Sequence, residues 1–208
     1  MRIAILGGTG AFGTALARRL VDGGHDVVIG SRDLERAAAA ASEVGEGAAG
    51  ATNADSLRDV DLAVLATKAE AALDTARELR TEIGKTPVLS VASELRFTPA
   101  GVFPSSSAAS LAERIQTELD APVVAGLHSL AASTLGGEEP PDEDALVCGD
   151  DADAKTLALE LAAGLVTGRA LDAGPLASAR ALEGLTAVIV NLNKRYRGHA
   201  GIRVTGLP

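Results

Sequence analysis

Short apolar runs alternate with amphipathic stretches along most of this chain. Residues 2–6 (RIAIL) form a run of the buried-strand type, and a glycine-rich turn follows over 7–13. Residues 14–22 carry Leu16, Leu20 and Val21 at helical spacing and stop at Gly23-Gly24. The same reading predicts strands over 26–29, 61–66, 87–91, 122–125 and 145–148, with a last short one over 169–172. Helices are predicted from an Asp33 cap to Ser42 and over 70–83, 110–119, 151–165 and 176–196. Residues 45–53 read as a small-residue loop with a short strand, and 96–107, with Pro99, Gly101, Pro104 and three serines, as a long loop. The acidic, proline-bearing stretch 136–144 reads as an exposed loop, and 197–208 as a glycine-bearing tail. Strand–helix alternation of this kind predicts a doubly wound, mainly parallel α/β sheet with a C-terminal helical part. A soft boundary near residue 150 divides a wound domain (1–150) from that helical part (151–208), the two packing as one unit.

The first turn carries chemistry. Gly8-Thr9-Gly10-Ala11-Phe12-Gly13 fits G-x-G-x-x-G and lies between a strand and a helix at the start of a βαβ unit, the context that gives the motif its meaning. Gly8 permits the tight turn, Gly10 leaves room for a pyrophosphate, and Gly13 lets helix and strand approach. The N–H groups of Thr9 to Phe12 and the positive end of the helix dipole would receive the phosphates. This predicts a Rossmann-type dinucleotide site. At the end of the second strand an NAD site carries an acid for the ribose hydroxyls. Here stand Gly30-Ser31-Arg32, with Arg36 one turn further on, a set of donors suited to the 2′-phosphate of NADP(H). Asp33 is read as a helix cap pointing away from the site.

Composition narrows the partners. A net charge of −9 sets aside nucleic acid and anionic membranes, and makes the local basic cluster stand out. Aromatic residues are 2% of the chain, so the core is built from Val, Leu, Ile and Ala. The single cysteine, Cys148, excludes an intrachain disulfide and is read as core packing. The three scattered histidines make no metal site. No run is long and apolar enough for a membrane span and no signal-peptide pattern opens the chain, so a cytoplasmic protein is expected.

With these residues in view, the chain resembles the NADPH-dependent coenzyme F420 reductases, the F420H2:NADP oxidoreductase family. The resemblance rests on I-L-G-G-T-G-A-F-G (5–13), V-I-G-S-R (28–32) and V-C-G-D-D (147–151). Most specific is L-D-A-G-P-L-A-S-A-R (171–180), continuing through Glu183, Leu185, Thr186 and Asn191 to Gly201-Ile202. It covers nearly the whole chain. It implies hydride exchange between the nicotinamide C4 of NADP(H) and the C5 of coenzyme F420 as co-substrate. It places Gly8, Thr9, Gly10, Ala11, Phe12, Ser31, Arg32 and Arg36 on the nucleotide. It brings Thr67, Lys68, Ala69, Ser93 and Ala132 near the reacting rings, has the tail around Ala200 close the site, and implies a homodimer. Two departures fall where the rings should meet. The segment after the third sheet strand is Thr67-Lys68-Ala69-Glu70-Ala71, without the family's proline, and His128 is followed by Ser129-Leu130-Ala131, where the family has a proline.

The residues themselves leave alternatives open. His128 follows a strand at the carboxyl edge of the sheet and can be a site residue or a structural one. His25 reads as structural. A reductase of another small carbonyl or imine substrate, with His128 or Lys68 as proton donor, also fits the pattern, as does an NADP-binding sensor without catalysis. On the last helix Arg180, Glu183, Ala187, Asn191 and Lys194 form one stripe, read either as a solvated face or as a dimer contact or substrate wall, with Arg180 suited to an acidic ligand tail.

Overall fold

The computed structural model describes residues 1–207. In chain order the first half runs β1 (Arg2–Leu6), α1 (Ala11–Asp22), β2 (Asp26–Ser31), α2 (Leu34–Val44), β3 (Ala48–Thr52), α3 (Asn53–Ser56), β4 (Leu62–Leu65), α4 (Ala69–Glu78), α5 (Arg80–Ile83) and β5 (Val88–Ser90). The second half runs β6 (Leu95–Thr98), β7 (Gly101–Pro104), α6 (Leu111–Glu118), β8 (Val123–Gly126), α7 (Ala132–Leu135), β9 (Ala145–Gly149), α8 (Ala152–Ala163) and β10 (Ala170–Asp172). A single 3-10 turn (Leu176–Ser178) then leads into α9 (Ala179–Tyr196).

Eight strands form one sheet in the order β10-β9-β8-β5-β4-β1-β2-β3. From β8 to β3 neighbouring strands are parallel, while β9 runs antiparallel to β8 and β10 parallel to β9. The mainly parallel, doubly wound sheet expected from the strand–helix rhythm is therefore present, and β10, from beyond residue 150, completes it. The chain winds outward in both directions from β1. The crevice at the carboxyl ends of β1 and β4 is the place where such folds bind ligands.

The strands are apolar on both faces because helices cover both. Ile3 and Ile5 belong to one core with Leu16, Leu20 and Leu161, while Ala4 and Leu6 belong to the other with Ala76, Ile115 and Leu182. The same alternation repeats in β4, where Leu62 and Val64 face the first core and Ala63 and Leu65 the second. Cys148 is in the second core, and burial pushes its thiol up to about 12.

Four expectations need correction. The stretch 96–107 is not a simple loop, because it contains the β6–β7 hairpin, with Leu95 opposite Pro104 and Thr98 opposite Gly101. The hairpin stands off the main sheet with Phe97 and Phe103 exposed, so it carries no alternating apolar signal. Its edge is held by Asn191 of α9, whose Oδ1 accepts from Val102 N (2.9 Å) and whose Nδ2 donates to Val102 O (2.7 Å). The middle of the α9 stripe is consequently not a solvated face, since Glu183 and Ala187 are also buried and Glu183 accepts from the Leu111 and Ala112 amides at the start of α6, while Arg180 and Lys194 at its two ends are exposed. Finally, the acidic stretch 136–144 ends buried. Asp144 accepts from Arg169 N and Val204 N (both 2.8 Å), and these amide bonds hold its carboxyl below the usual range. In addition, the helix predicted over 70–83 divides at Leu79, a bend that keeps both Leu79 and Ile83 in the core.

Arg19, in the last turn of α1, is buried and has no carboxylate partner among the described residues. Its guanidinium donates to the carbonyls of Leu135 (3.2 and 3.1 Å), Gly137 (2.7 Å) and Glu139 (3.1 Å), fastening the end of α7 to α1. Arg19→Leu fills the space but strands those carbonyls, and a stability loss of about 2 kcal/mol or more is expected in urea unfolding.

Candidate functional site

Three strand ends and the start of α1 meet at one point. The Gly8 amide donates to Ile5 O (3.1 Å) and Gly30 O (3.0 Å), tying the glycine turn to both β1 and β2. Gly7, at φ 69°, lies against Thr67 after β4, and its amide donates to Asn53 Oδ1 at 3.2 Å. Gly13 has no room for a side chain, because a Cβ there would sit 2.6 Å from the Gly8 backbone. Gly10 differs, since a Cβ on it would meet no atom of the described residues within 4 Å. The protein therefore has no steric need for glycine at residue 10, whereas a ligand pressed against that turn would have one. Gly10 is also the N-cap of α1 and offers no side-chain cap, so the first-turn amides of Ala11 and Phe12 stay free for an anion. The Phe12 ring packs against the core, so only its backbone serves the turn.

This turn opens onto a crevice of about 450 Å³. One end is lined by Ser31, Arg32 and Arg36, the other by Thr67 and Lys68. Ser31 Oγ accepts from Asp33 N (3.1 Å), which leaves its own proton to donate into the crevice. Asp33 caps α2 as expected, accepting from the Glu35 (3.0 Å) and Arg36 (3.2 Å) amides. It does not point away, however, but lines the same crevice. Among the described residues, Arg32, Arg36 and Lys68 make no ion pair, so three cations face one cavity in an acidic protein. Asn53 and Thr75 also line it and carried no signal in the sequence.

Beyond Lys68 the wall continues into a second cavity of about 450 Å³, between the start of α4 and the β6–β7 hairpin. Ala69, Glu70, Ser93, Glu94 and Phe97 line it. Buried polar atoms without partners are found in the segments that leave the carboxyl ends of β4, β5 and β8: Thr67 Oγ1, Ser90 Oγ, Ser129 Oγ and both ring nitrogens of His128. Such atoms are costly unless water or a ligand meets them. Leu127, at φ 64°, turns the chain sharply out of β8 and sets His128 behind this edge. Burial drives the His128 pKa down to about 4, against the opposing influence of the Ala92 backbone, so the ring is neutral near pH 7.

The expected site residues are thus only partly gathered. Thr9, Gly10, Ser31, Arg32, Arg36, Thr67 and Lys68 share the first crevice, and Ala69 and Ser93 the second. His128 lines neither. Ala132 opens α7, and Ala200 lies in a separate surface depression with Tyr196 and His199. His199 is tied to α7 through Ser133 Oγ (3.1 Å), so the tail does reach that helix. His25 is structural, with its Nδ1 3.3 Å from the N-terminal amine.

A wound sheet whose glycine turn frees helix amides for an anion, beside a cationic crevice, defines the class of Rossmann-type dinucleotide-binding proteins. Residues 2–94 match the family model described as NADP oxidoreductase, coenzyme F420-dependent. The F420-dependent NADP reductase of Methanothermobacter thermautotrophicus is 37% identical, with all of this chain and 96% of that protein aligned. Its counterpart in Methanocaldococcus jannaschii is 34% identical over 100% of this chain and 99% of the relative. A crystal structure from Arthrobacter sp. FB24, provisionally described as an F420-dependent NADP reductase, superposes with a TM-score of 0.84 at 28% identity, covering 99% of this chain and 100% of that one. The chain belongs to the coenzyme F420-dependent NADP oxidoreductase family. An imine reductase from Streptomyces aurantiacus shares the fold at a TM-score of 0.62 and 22% identity, over 95% of this chain and 62% of that one.

Two buried groups set opposite pH trends. His128 binds fewer protons folded than unfolded, so its contribution falls as pH drops from 6.5 toward 4. Glu143, whose carboxyl burial raises to about 7, binds more protons folded, so its contribution falls as pH rises from 4.5 toward 7. The two oppose each other in one window. His128→Gln is expected to remove the first slope alone, so that stability from urea titrations, relative to wild type, gains up to roughly 3 kcal/mol between pH 6.5 and 4.

Proposed function

We propose that the protein transfers a hydride between NADP(H) and the deazaflavin coenzyme F420. The observation that carries this is the open space at Gly10 beside free first-turn amides, with Ser31, Arg32 and Arg36 at the far end of the same crevice. Amides of Thr9 to Phe12 would hold the pyrophosphate, and the two guanidiniums with the Ser31 hydroxyl would hold the 2′-phosphate. Both amides at the start of α2 donate to Asp33 Oδ1, which fixes that carboxylate as the cap, and the Ser31, Arg32 and Arg36 donors on the same crevice favour the phosphorylated cofactor. Lys68 adds positive charge where the crevice turns toward the second cavity.

When bound, the nicotinamide supplies at C4 the hydride that the deazaflavin takes at C5. The protein's share is position, charge and exclusion of water, since direct transfer needs two ring faces held close in a dry site. The second cavity, between the start of α4 and the hairpin, is our assignment for the deazaflavin. Phe97 and Ala69 would wall it together with Ser93. His128, neutral and buried, is placed behind the rings as a positioning group rather than a proton donor. Ala132 and Ala200 belong to the α7–tail contact that would cover the nicotinamide end.

We also propose a homodimer in the cytoplasm, each subunit working as one unit across the boundary near residue 150, since β10 joins the main sheet. The outer face of α9 supports the dimer, as Val188, Leu192 and Tyr196 recur every fourth residue and are 53%, 41% and 72% exposed. Phe97 extends this face from the hairpin beneath Lys194, whose Nζ is 5.5 Å from the ring centre. Val188→Glu with Leu192→Glu should give monomers by sedimentation.

Mixing the purified protein with NADPH and F420 and following the deazaflavin absorbance tests the reaction directly. Absence of exchange with F420 while another acceptor is reduced would overturn it. In the same preparation Arg32→Ala should weaken NADPH roughly 10- to 100-fold and NADH less than about threefold, because only NADPH carries the 2′-phosphate. Equal losses would mean that the phosphate lies elsewhere.

A further inference from the structure

The wall of the second cavity contains a short hydroxyl chain whose proton directions are fixed by counting. Thr186, on α9, places its Oγ1 2.9 Å from His128 O and 2.7 Å from Ser93 Oγ. A threonine hydroxyl has one proton to give, and a carbonyl oxygen can only accept. The Thr186 proton therefore goes to His128 O. The short contact with Ser93 is then a hydrogen bond only if Ser93 donates. Ser93 has no second proton, so what it turns toward the cavity is lone pairs.

Several neighbours on that wall have the same polarity, with Arg96 as the donor among them. Ser105 Oγ donates to Glu94 Oε2 (2.6 Å) and accepts from Ser107 N (3.2 Å), so its proton is also spent within the protein. Glu94 holds Arg114 as well (2.9 Å), and Glu70 adds another carboxylate. Two serines that could offer either polarity are both committed as acceptors.

We propose that Thr186 is a positioning residue that makes Ser93 an acceptor only, and that Ser93 thereby selects a ligand group presenting an amide-type N–H. This rests on the hydride-transfer reading above and adds a specificity element to it. Two groups of that reaction have this chemistry: the carboxamide of the nicotinamide and the ring N–H of the deazaflavin's pyrimidinedione. A carbonyl presented to Ser93 would meet lone pairs, so the arrangement also fixes which way round the group must lie.

Thr186→Val keeps the shape and releases the Ser93 proton, while Thr186→Ser keeps the hydroxyl. Each variant is assayed with NADPH and F420, then with an NADPH analogue whose carboxamide is replaced by acetyl, and then with an N-methylated deazaflavin. Thr186→Val should lose about fivefold to tenfold in kcat/KM with the natural pair, and Thr186→Ser should recover most of it. The loss should vanish with the one analogue that lacks the N–H Ser93 receives, which identifies the ring concerned. Ser93→Ala should show the same analogue dependence, and the double variant should cost no more than either single one. It also keeps the test readable if Thr186→Val folds poorly. Equal losses for Thr186→Val and Thr186→Ser, or an undiminished loss with both analogues, would make Thr186 a packing residue and overturn the proposal. A wild-type protein that binds neither NADPH nor F420 overturns the functional reading instead, and this inference with it.

Discussion

Helix α1 can aim its free amides at a phosphate only because it comes into backbone contact with the turn that precedes it. The contact between Gly13 and Gly8 leaves no space for even a methyl group. From that point the constraint spreads outward. Gly8 ties the turn to β1 and β2, Gly7 meets Thr67 beyond β4, and Asn53 steadies Gly7 from the start of α3. The crevice is the space these contacts leave open. Its shape follows from glycine backbone geometry, and its charge from Arg32, Arg36 and Lys68, which stand against a net charge of −9.

The other half of the site depends on a reversal. A fully parallel sheet would send the chain after β8 through a crossover helix. Here β8 exits through Leu127 at positive φ and the chain returns antiparallel as β9. A non-glycine residue held there costs about 1 kcal/mol, and the neighbours that hold it are Leu146, whose carbonyl accepts from Leu127 N, and Leu130, whose amide donates to Leu127 O. The return loop carries His128 and Ser129 past the sheet edge. The α9 hydroxyl of Thr186 then catches the His128 carbonyl. Hairpin, α9 and return loop thus meet around Ser93, although they are far apart in sequence.

That distance explains what could be read from the sequence. The glycine turn, the basic end of β2 and the alternating cores are local, and each is written within a few residues. The Asp33 cap was legible for the same reason, but its place on the crevice wall was not. The hairpin was missed because Phe97 and Phe103 face outward and only Val102 turns inward, so no period of two is visible. Glu143 and Asp144 look like loop acids in sequence. They are buried because the tail comes back over them, with Asp144 N donating to Ile202 O (2.6 Å) and Asp144 accepting from Val204 N. Nothing near residues 142–144 announces a partner some sixty positions away. Asn53 and Thr186 are ordinary polar residues whose roles arise only from what the fold sets beside them.

The first helix joins the two halves. Its N-terminus supplies the anion-binding amides, and Arg19 in its last turn grips the carbonyls at the end of α7. A carboxylate partner would have neutralised Arg19 but fixed only one side chain. Carbonyl acceptors fix the path of the backbone instead, and a guanidinium with five donors can satisfy several at once. The carbonyls at the end of a helix also carry partial negative charge, which offsets the buried cation. Since α7 begins at Ala132, directly after the return loop, the helix that would hold the phosphates also sets the position of the ring-side edge. A rigid link of this kind would keep both ends of an extended dinucleotide in register, which direct transfer between two stacked rings requires.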